Sequence, residues 1–128
     1  MGVRINEIVV DSLDPHRLAE FWCAVLDWVV VESNDDEVEV RPAGTSDRTS
    51  PVPSLLFGRI AQPKQVKDRL HLDVAATTGS DQERELQRLL ALGATQIDIG
   101  QGDVSWHVLA DPEGNEFCLL RGVLEPGT

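Results

Sequence analysis

The chain has no tyrosine, one methionine, three phenylalanines and only two lysines, Lys64 and Lys67, among its 128 residues. Lysine and arginine together number 11 against 22 aspartates and glutamates, a formal charge of −11. That imbalance repels phosphate backbones and anionic headgroups at long range, so neither nucleic acid nor a membrane surface is expected as a partner. No apolar run approaches the roughly 18 residues of a membrane-spanning helix. The opening MGVRINEIVV passes straight into Asp11 and Asp14, unlike an export signal, and a cytoplasmic protein is expected. The two cysteines, Cys23 and Cys118, are far apart in sequence, and no structural disulfide is expected between them. Also missing are a GxSxG elbow, a phosphate-binding P-loop and a GxGxxG turn, which removes the usual hydrolase and nucleotide-binding readings.

What is present reads as one domain made of two halves with the same order of elements. In the first half, Ile5 to Asp11 alternates like a strand, and Asp14-Pro15 supplies an N-cap and a first-turn proline. Leu18, Phe21, Trp22, Val25 and Leu26 then recur at helical spacing, predicting a helix over 15–27. Strands are predicted at 29–32, 37–41 and 55–60, with a Gly, Ser, Thr and Pro-rich loop at 42–53. The second half starts with a strand over 69–75. Ser80 and Glu83 form a capping box for a helix over 81–92, with Gly93 as its stop. Strands follow at 95–99, 105–110 and 116–121, the last two joined by the turn sequence Asp111-Pro112-Glu113-Gly114-Asn115. Turn chemistry accounts for Asp111 there, so it and Glu113 are not read as a catalytic carboxylate pair.

Strand parity supplies the candidate site. In RLHLDV, Leu70, Leu72 and Val74 point to one face and Arg69, His71 and Asp73 to the other. Glu7 and Asp11 oppose Ile8 and Val10, and Glu116 and Cys118 oppose Phe117 and Leu119. Either three polar faces line a cavity, or these are ordinary half-exposed strands. Trp22 belongs to the apolar side of the first helix, whereas Trp28 and Trp106 are candidates for a cavity wall that stacks on a planar ligand. His16 and His107 are read as surface residues.

Four segments, DPHRLAEFWCAVLDW, KDRLHLDV, LLALGA and WHVLADPEGNEFCLL, occur in this order over nearly the whole chain and resemble the glyoxalase and bleomycin-resistance proteins, the vicinal oxygen chelate superfamily. The match is best to an actinobacterial glyoxalase-like subgroup. The resemblance implies an α+β fold of tandem βαβββ modules, about 1–60 and 69–122 with a connector at 61–68, whose curved sheets surround a cavity, often in a homodimer. In metal-dependent members four strands give one ligand each. Carried over by position, three of these fall on Glu7, His71 and Cys118, while the second, within 53–60, finds no Asp, Glu or His.

With that set broken, the expected function is a small-molecule-binding protein of the resistance or sequestration type, taking an aromatic or cationic compound without an essential metal. Arg69, Asp73, Trp28, Trp106 and Glu116 are its candidate ligand contacts. The alternative is a lyase, isomerase or dioxygenase in which His71 and Glu7 act as acid and base or hold a divalent ion such as zinc, iron, nickel or manganese, with Cys118 as a further donor. A third possibility is an interaction module with a vestigial cavity.

Overall fold

The structure, a computed structural model, describes residues 2–46 and 49–126. Asp47 and Arg48 of the loop predicted at 42–53 lie outside the described residues. The chain divides into two compact units, residues 1–63 and 64–128. Each holds a helix on one face of a four-stranded mixed sheet.

In the first unit the elements are β1 (Glu7–Ser12), α1 (Pro15–Leu26), β2 (Val29–Ser33), β3 (Glu37–Arg41) and β4 (Ser54–Arg59). The sheet order is β1-β4-β3-β2, with β1 and β4 parallel and the other pairs antiparallel. Helix α1 starts where predicted, because the Asp14 side chain accepts the N–H of Arg17 and Pro15 needs no partner for its missing N–H. Leu18, Ala19, Phe21, Trp22 and Val25 are buried, as are Val38, Val40, Leu55 and Phe57 of the sheet. Val38 pairs with Phe57 and Val40 with Leu55, so these four share the face under the helix. Phe21 and Trp22 meet edge to face with centroids 5.4 Å apart.

The second unit contains β5 (Leu72–Thr77), α2 (Gln82–Leu92), β6 (Thr95–Gln96), β7 (His107–Ala110) and β8 (Glu116–Leu124), in sheet order β5-β8-β7-β6. Again the first and last strands run parallel. Leu86 and Leu89 of α2, with Leu109, Phe117 and Leu119 of the sheet, are buried in its core. The tight turn between β7 and β8 is organised by Asp111, whose carboxylate accepts the N–H groups of Glu113 and Asn115 and the Asn115 amide.

Several sequence expectations are corrected here. The strand predicted from Arg69 begins only at Leu72, and Leu70, expected in the core, is 88% exposed. The ladder to β8 starts at the Leu72–Phe117 pair; upstream of it the backbone N–H of Asp68 is taken by the Glu116 side chain instead of a strand. Asp81, not Ser80, caps α2 by accepting the N–H of Arg84, and the Ser80 hydroxyl donates to Glu85. The strand predicted at 95–99 stops at Gln96, because the Asp98 side chain and the positive φ of Gly100 and Gly102 turn the chain. The strand predicted from Ser105 starts at His107, the Ser105 carbonyl being held by the Gln82 amide. In contrast, β8 runs on to Leu124, past the predicted Arg121, because Val123 and Leu124 pair with Ala76 and Thr77.

Candidate functional site

Two polar faces stand out, one in each unit. In the second, Asp73 of β5 lies opposite Cys118 of β8, and cross-strand partners share a face. His71 sits just before β5, and its Nε2 is 3.2 Å from Asp73 Oδ1. A donor atom of each of His71, Asp73 and Cys118 lies within 4.8 Å of the others. Cys118 is buried, whereas the His71 and Asp73 side chains are 41% and 50% exposed, so the group opens to solvent on one side. Burial pushes the Cys118 thiol up, and the charge and hydrogen bond of Asp73 push it further in the same direction, with Lys67 working against them. The thiol is thus held in its protonated form and is not an activated nucleophile.

Glu116, a candidate ligand contact, is otherwise engaged. It is 9% exposed, its Oε1 is 2.9 Å from Lys64 Nζ and its Oε2 accepts the N–H of Asp68. Burial alone would raise its carboxyl, but the Lys64 and Asp68 hydrogen bonds outweigh that and bring it down to about 2. Glu116 therefore fastens residues 64–68 to the start of β8, on the segment that leads to His71. Arg69 is exposed on the same segment, and Trp106 is 40% exposed just ahead of β7.

In the first unit Glu7 belongs to a group of glutamates. Glu39 pairs with Leu56 and Glu37 with Gly58, while Glu32 pairs with Glu39 and Glu7 with Ser54, which puts the glutamates on the sheet face opposite α1. Glu7, Glu32, Glu37 and Glu39 line a groove of about 210 Å³ together with Ser33, Asn34 and Leu56. Arg41, buried at the end of β3, forms an ion pair with Glu39, and its Nε finds no acceptor among the described residues. Trp28 is half-buried just ahead of β2, its backbone N–H donating to the carbonyl of Cys23. Sequence reading singled out Glu7 but missed Glu32, Glu37 and Glu39. The available signal was the E-V-E alternation of β3, which sends both acids to one side.

A family model described as a glyoxalase-like domain matches residues 7–120. The chain belongs to the glyoxalase-like family. Solved structures agree on the fold. A fosfomycin resistance protein, FosX, from Mesorhizobium loti superposes with a TM-score of 0.68 at 15% identity, covering 95% of this chain and 94% of that one. A glyoxalase/bleomycin resistance protein/dioxygenase family enzyme from Burkholderia phytofirmans gives 0.66 at 16% identity, covering 91% and 97%. A mutant FosX from Listeria monocytogenes, complexed with manganese(II) and a dihydroxypropylphosphonic acid, gives 0.69 at 15% identity, covering 95% and 94%. Curated proteins yielded no match. No helix among the described residues is long and apolar enough to cross a membrane.

The metal that such relatives suggest can be tested against the donors. The family's pattern, one ligand from each of four strands, is not met: β4 carries no Asp, Glu or His. The donors that do converge are imidazole, carboxylate and thiol, all within residues 64–128. Three such groups fit a zinc-type centre better than the oxygen-rich octahedron of a harder ion.

Proposed function

We propose that the protein binds a small cationic or aromatic molecule, in the manner of a resistance or sequestering protein, on the open face of its first sheet. The observation that carries this reading is the glutamate-lined groove around Leu56. Leu56 offers apolar contact to a hydrocarbon or aromatic body, and the four glutamates suit an ammonium or guanidinium group. The Glu32–Glu39 cross-strand pair supports it, since like charges directly opposite cost stability that a bound cation would restore. Trp28 is a candidate stacking surface in the same unit. The sequence segments that resemble actinobacterial glyoxalase-like proteins support the narrower placement within the family, and a homodimer is the assembly we expect.

Calorimetry against paired cationic and anionic aromatic compounds tests the reading. Heat of binding from the cations alone is expected, and Glu32→Lys should abolish it while raising fold stability by about 0.5 kcal/mol through the new cross-strand pair. Binding that survives Glu32→Lys, or that favours the anions, would remove the groove as the site.

A second reading, metal-assisted chemistry by a lyase, isomerase or dioxygenase, is favoured by the convergence of His71, Asp73 and Cys118. A divalent ion held there would supply Lewis-acid polarisation of a ligand oxygen. In this second reading His71, half-exposed and next to Asp73, is the group that would donate or accept a proton at the ligand.

A further inference from the structure

We propose that Arg59, together with His16, is a positioning residue for the glutamate groove: it holds the β2–β3 turn, and with it the wall that carries Glu32, Ser33, Asn34 and Glu37, at the spacing a ligand needs. This rests on the groove reading and adds to it the part of the first unit that keeps the groove in shape.

The wall has little else to fix it. β2 is an edge strand with all five residues exposed, and its ladder to β3 is interrupted by a register shift between Val30 and Glu32. Just beyond the shift Glu32 stands opposite Glu39, a like-charge pair that pushes the two strands apart. Yet Glu32, Ser33, Asn34 and Glu37, at this end of the hairpin, make up most of the groove lining.

A row of backbone carbonyls supplies the hold. Three successive turn carbonyls each receive a donor from outside the hairpin: Asn34 from His16 Nε2 at 2.8 Å, Asp35 from Arg59 Nη2 at 2.8 Å, and Asp36 from the Arg59 backbone N–H at 2.8 Å. Arg59 Nε is also 3.5 Å from Asp36 Oδ1, and Nη1 donates to the Leu13 carbonyl at 2.9 Å, which ties the turn to the segment leading into α1. All three guanidinium nitrogens are thus committed, in a rigid fork that a lysine ammonium cannot reproduce. Within the turn, Asn34 Oδ1 accepts the N–H groups of Asp36 and Glu37, so the hold on residues 34–36 passes on to Glu37. Neither Arg59 nor His16 lines the groove. Alternation puts Arg59 on the Phe57 side of β4, the face under α1, so it acts from behind the wall.

Positioning and charge predict opposite signs. As a charge, Arg59 opposes a cation entering the groove. As a clamp it favours one, because a wall that is already ordered costs less to bind against.

The test uses the full chain, with benzamidinium as cationic aromatic probe and benzoate as its anionic counterpart, by calorimetry at about 0.01 M salt, where the screening length is roughly 30 Å. Arg59→Gln and Arg59→Lys should both weaken benzamidinium binding roughly five- to tenfold, and His16→Ala, at an exposed position where folding is at little risk, should weaken it by a smaller factor. Without ligand, amide exchange at Asn34, Asp36 and Glu37 should quicken in both Arg59 variants while that of residues 18–25 in α1 keeps its rate, which separates a loosened wall from a general loss of fold. Tighter binding in Arg59→Gln with unchanged binding in Arg59→Lys would show that Arg59 acts through its charge alone, and would overturn the proposal with the groove still standing. Unchanged exchange at the three turn amides in Arg59→Gln would overturn it as well. If the parent chain binds benzamidinium no better than benzoate, the groove reading falls and this proposal with it.

Discussion

Single residues set the ends of both helices, and one of them is chemically out of place. Asp27 closes α1 in the left-handed region, at φ 57° and ψ 44°, and is the one non-glycine residue with positive φ among those described. An L-residue with a Cβ pays for that conformation, and a carboxylate also faces the negative end of the helix dipole. Asp27→Gly is expected to raise stability by about 0.5–1 kcal/mol, measured as a higher urea midpoint at unchanged slope. A lower midpoint would mean that Asp27 makes a stabilising contact which outweighs the strain. The counterpart, Gly93 after α2, already has φ 120° and donates to Leu89 and Leu90 carbonyls. Caps such as Asp14 and Gly93 were legible in sequence because each acts on backbone three or four residues away. Ser80 was misread for the same reason: two adjacent residues, Ser80 and Asp81, both satisfy the capping rule. Nothing local ranks the neutral hydroxyl against the carboxylate that takes the Arg84 N–H.

At the scale of elements, strand and helix periodicity located all ten segments, but β5, β6 and β8 each missed one end by three residues, β5 at its start because of a contact between Asp68 and Glu116, 48 residues apart. No local pattern announces that Glu116 will hold Lys64 and Asp68, so the alternation of RLHLDV read as strand three residues too early. The clasp has a pH signature. Glu116 titrates at about 2 in the folded chain against 4.5 for a free glutamate, so its stabilisation is fully present above about pH 4.5 and is lost as pH falls toward 2. Asp68 has the opposite sign: burial first, then the charge of Glu116, raises its carboxyl, so its contribution shrinks as pH rises through that value. Glu116→Gln is therefore expected to flatten the loss of thermal stability between pH 4.5 and 2. Lys64→Met, which leaves the carboxylate buried without its cation, should cost about 2 kcal/mol at neutral pH. An acid limb equally steep in Glu116→Gln would show that other carboxylates control the transition. The clasp also bears on His71: amide exchange between Asp68 and His71 should quicken in either variant if Glu116 holds that segment.

At the scale of the whole molecule, the duplicated order of elements was readable because each unit builds its core from local periodicity, α1 on Val38, Val40, Leu55 and Phe57, α2 on Leu109, Phe117 and Leu119. The candidate site was readable only in part. Asp73 and Cys118 came together because strand register obeys a period of two, and His71 joins them from just ahead of β5, whereas Glu32, Glu37 and Glu39 needed the pairing of β2, β3 and β4, which sequence alone does not order. Charge is the property that both units share, and it acts on stability and on ligand binding with opposite signs. A chain with formal charge −11 repels itself when compact, and the stretch from Glu32 to Glu39 contains five acids and no base, relieved among the described residues by Arg59 at Asp36 and Arg41 at Glu39. Raising salt from about 0.01 M to about 1 M shortens the screening length from roughly 30 Å to roughly 3 Å. Screening should then raise the melting temperature, by weakening self-repulsion, while it weakens capture of a cationic ligand by the groove. A thermal scan and a binding titration across the same sodium chloride series check this. Salt that lowers both would show that attractive ion pairs, of the kind Arg59 and Lys64 make, outweigh the repulsion among the acids in holding the fold.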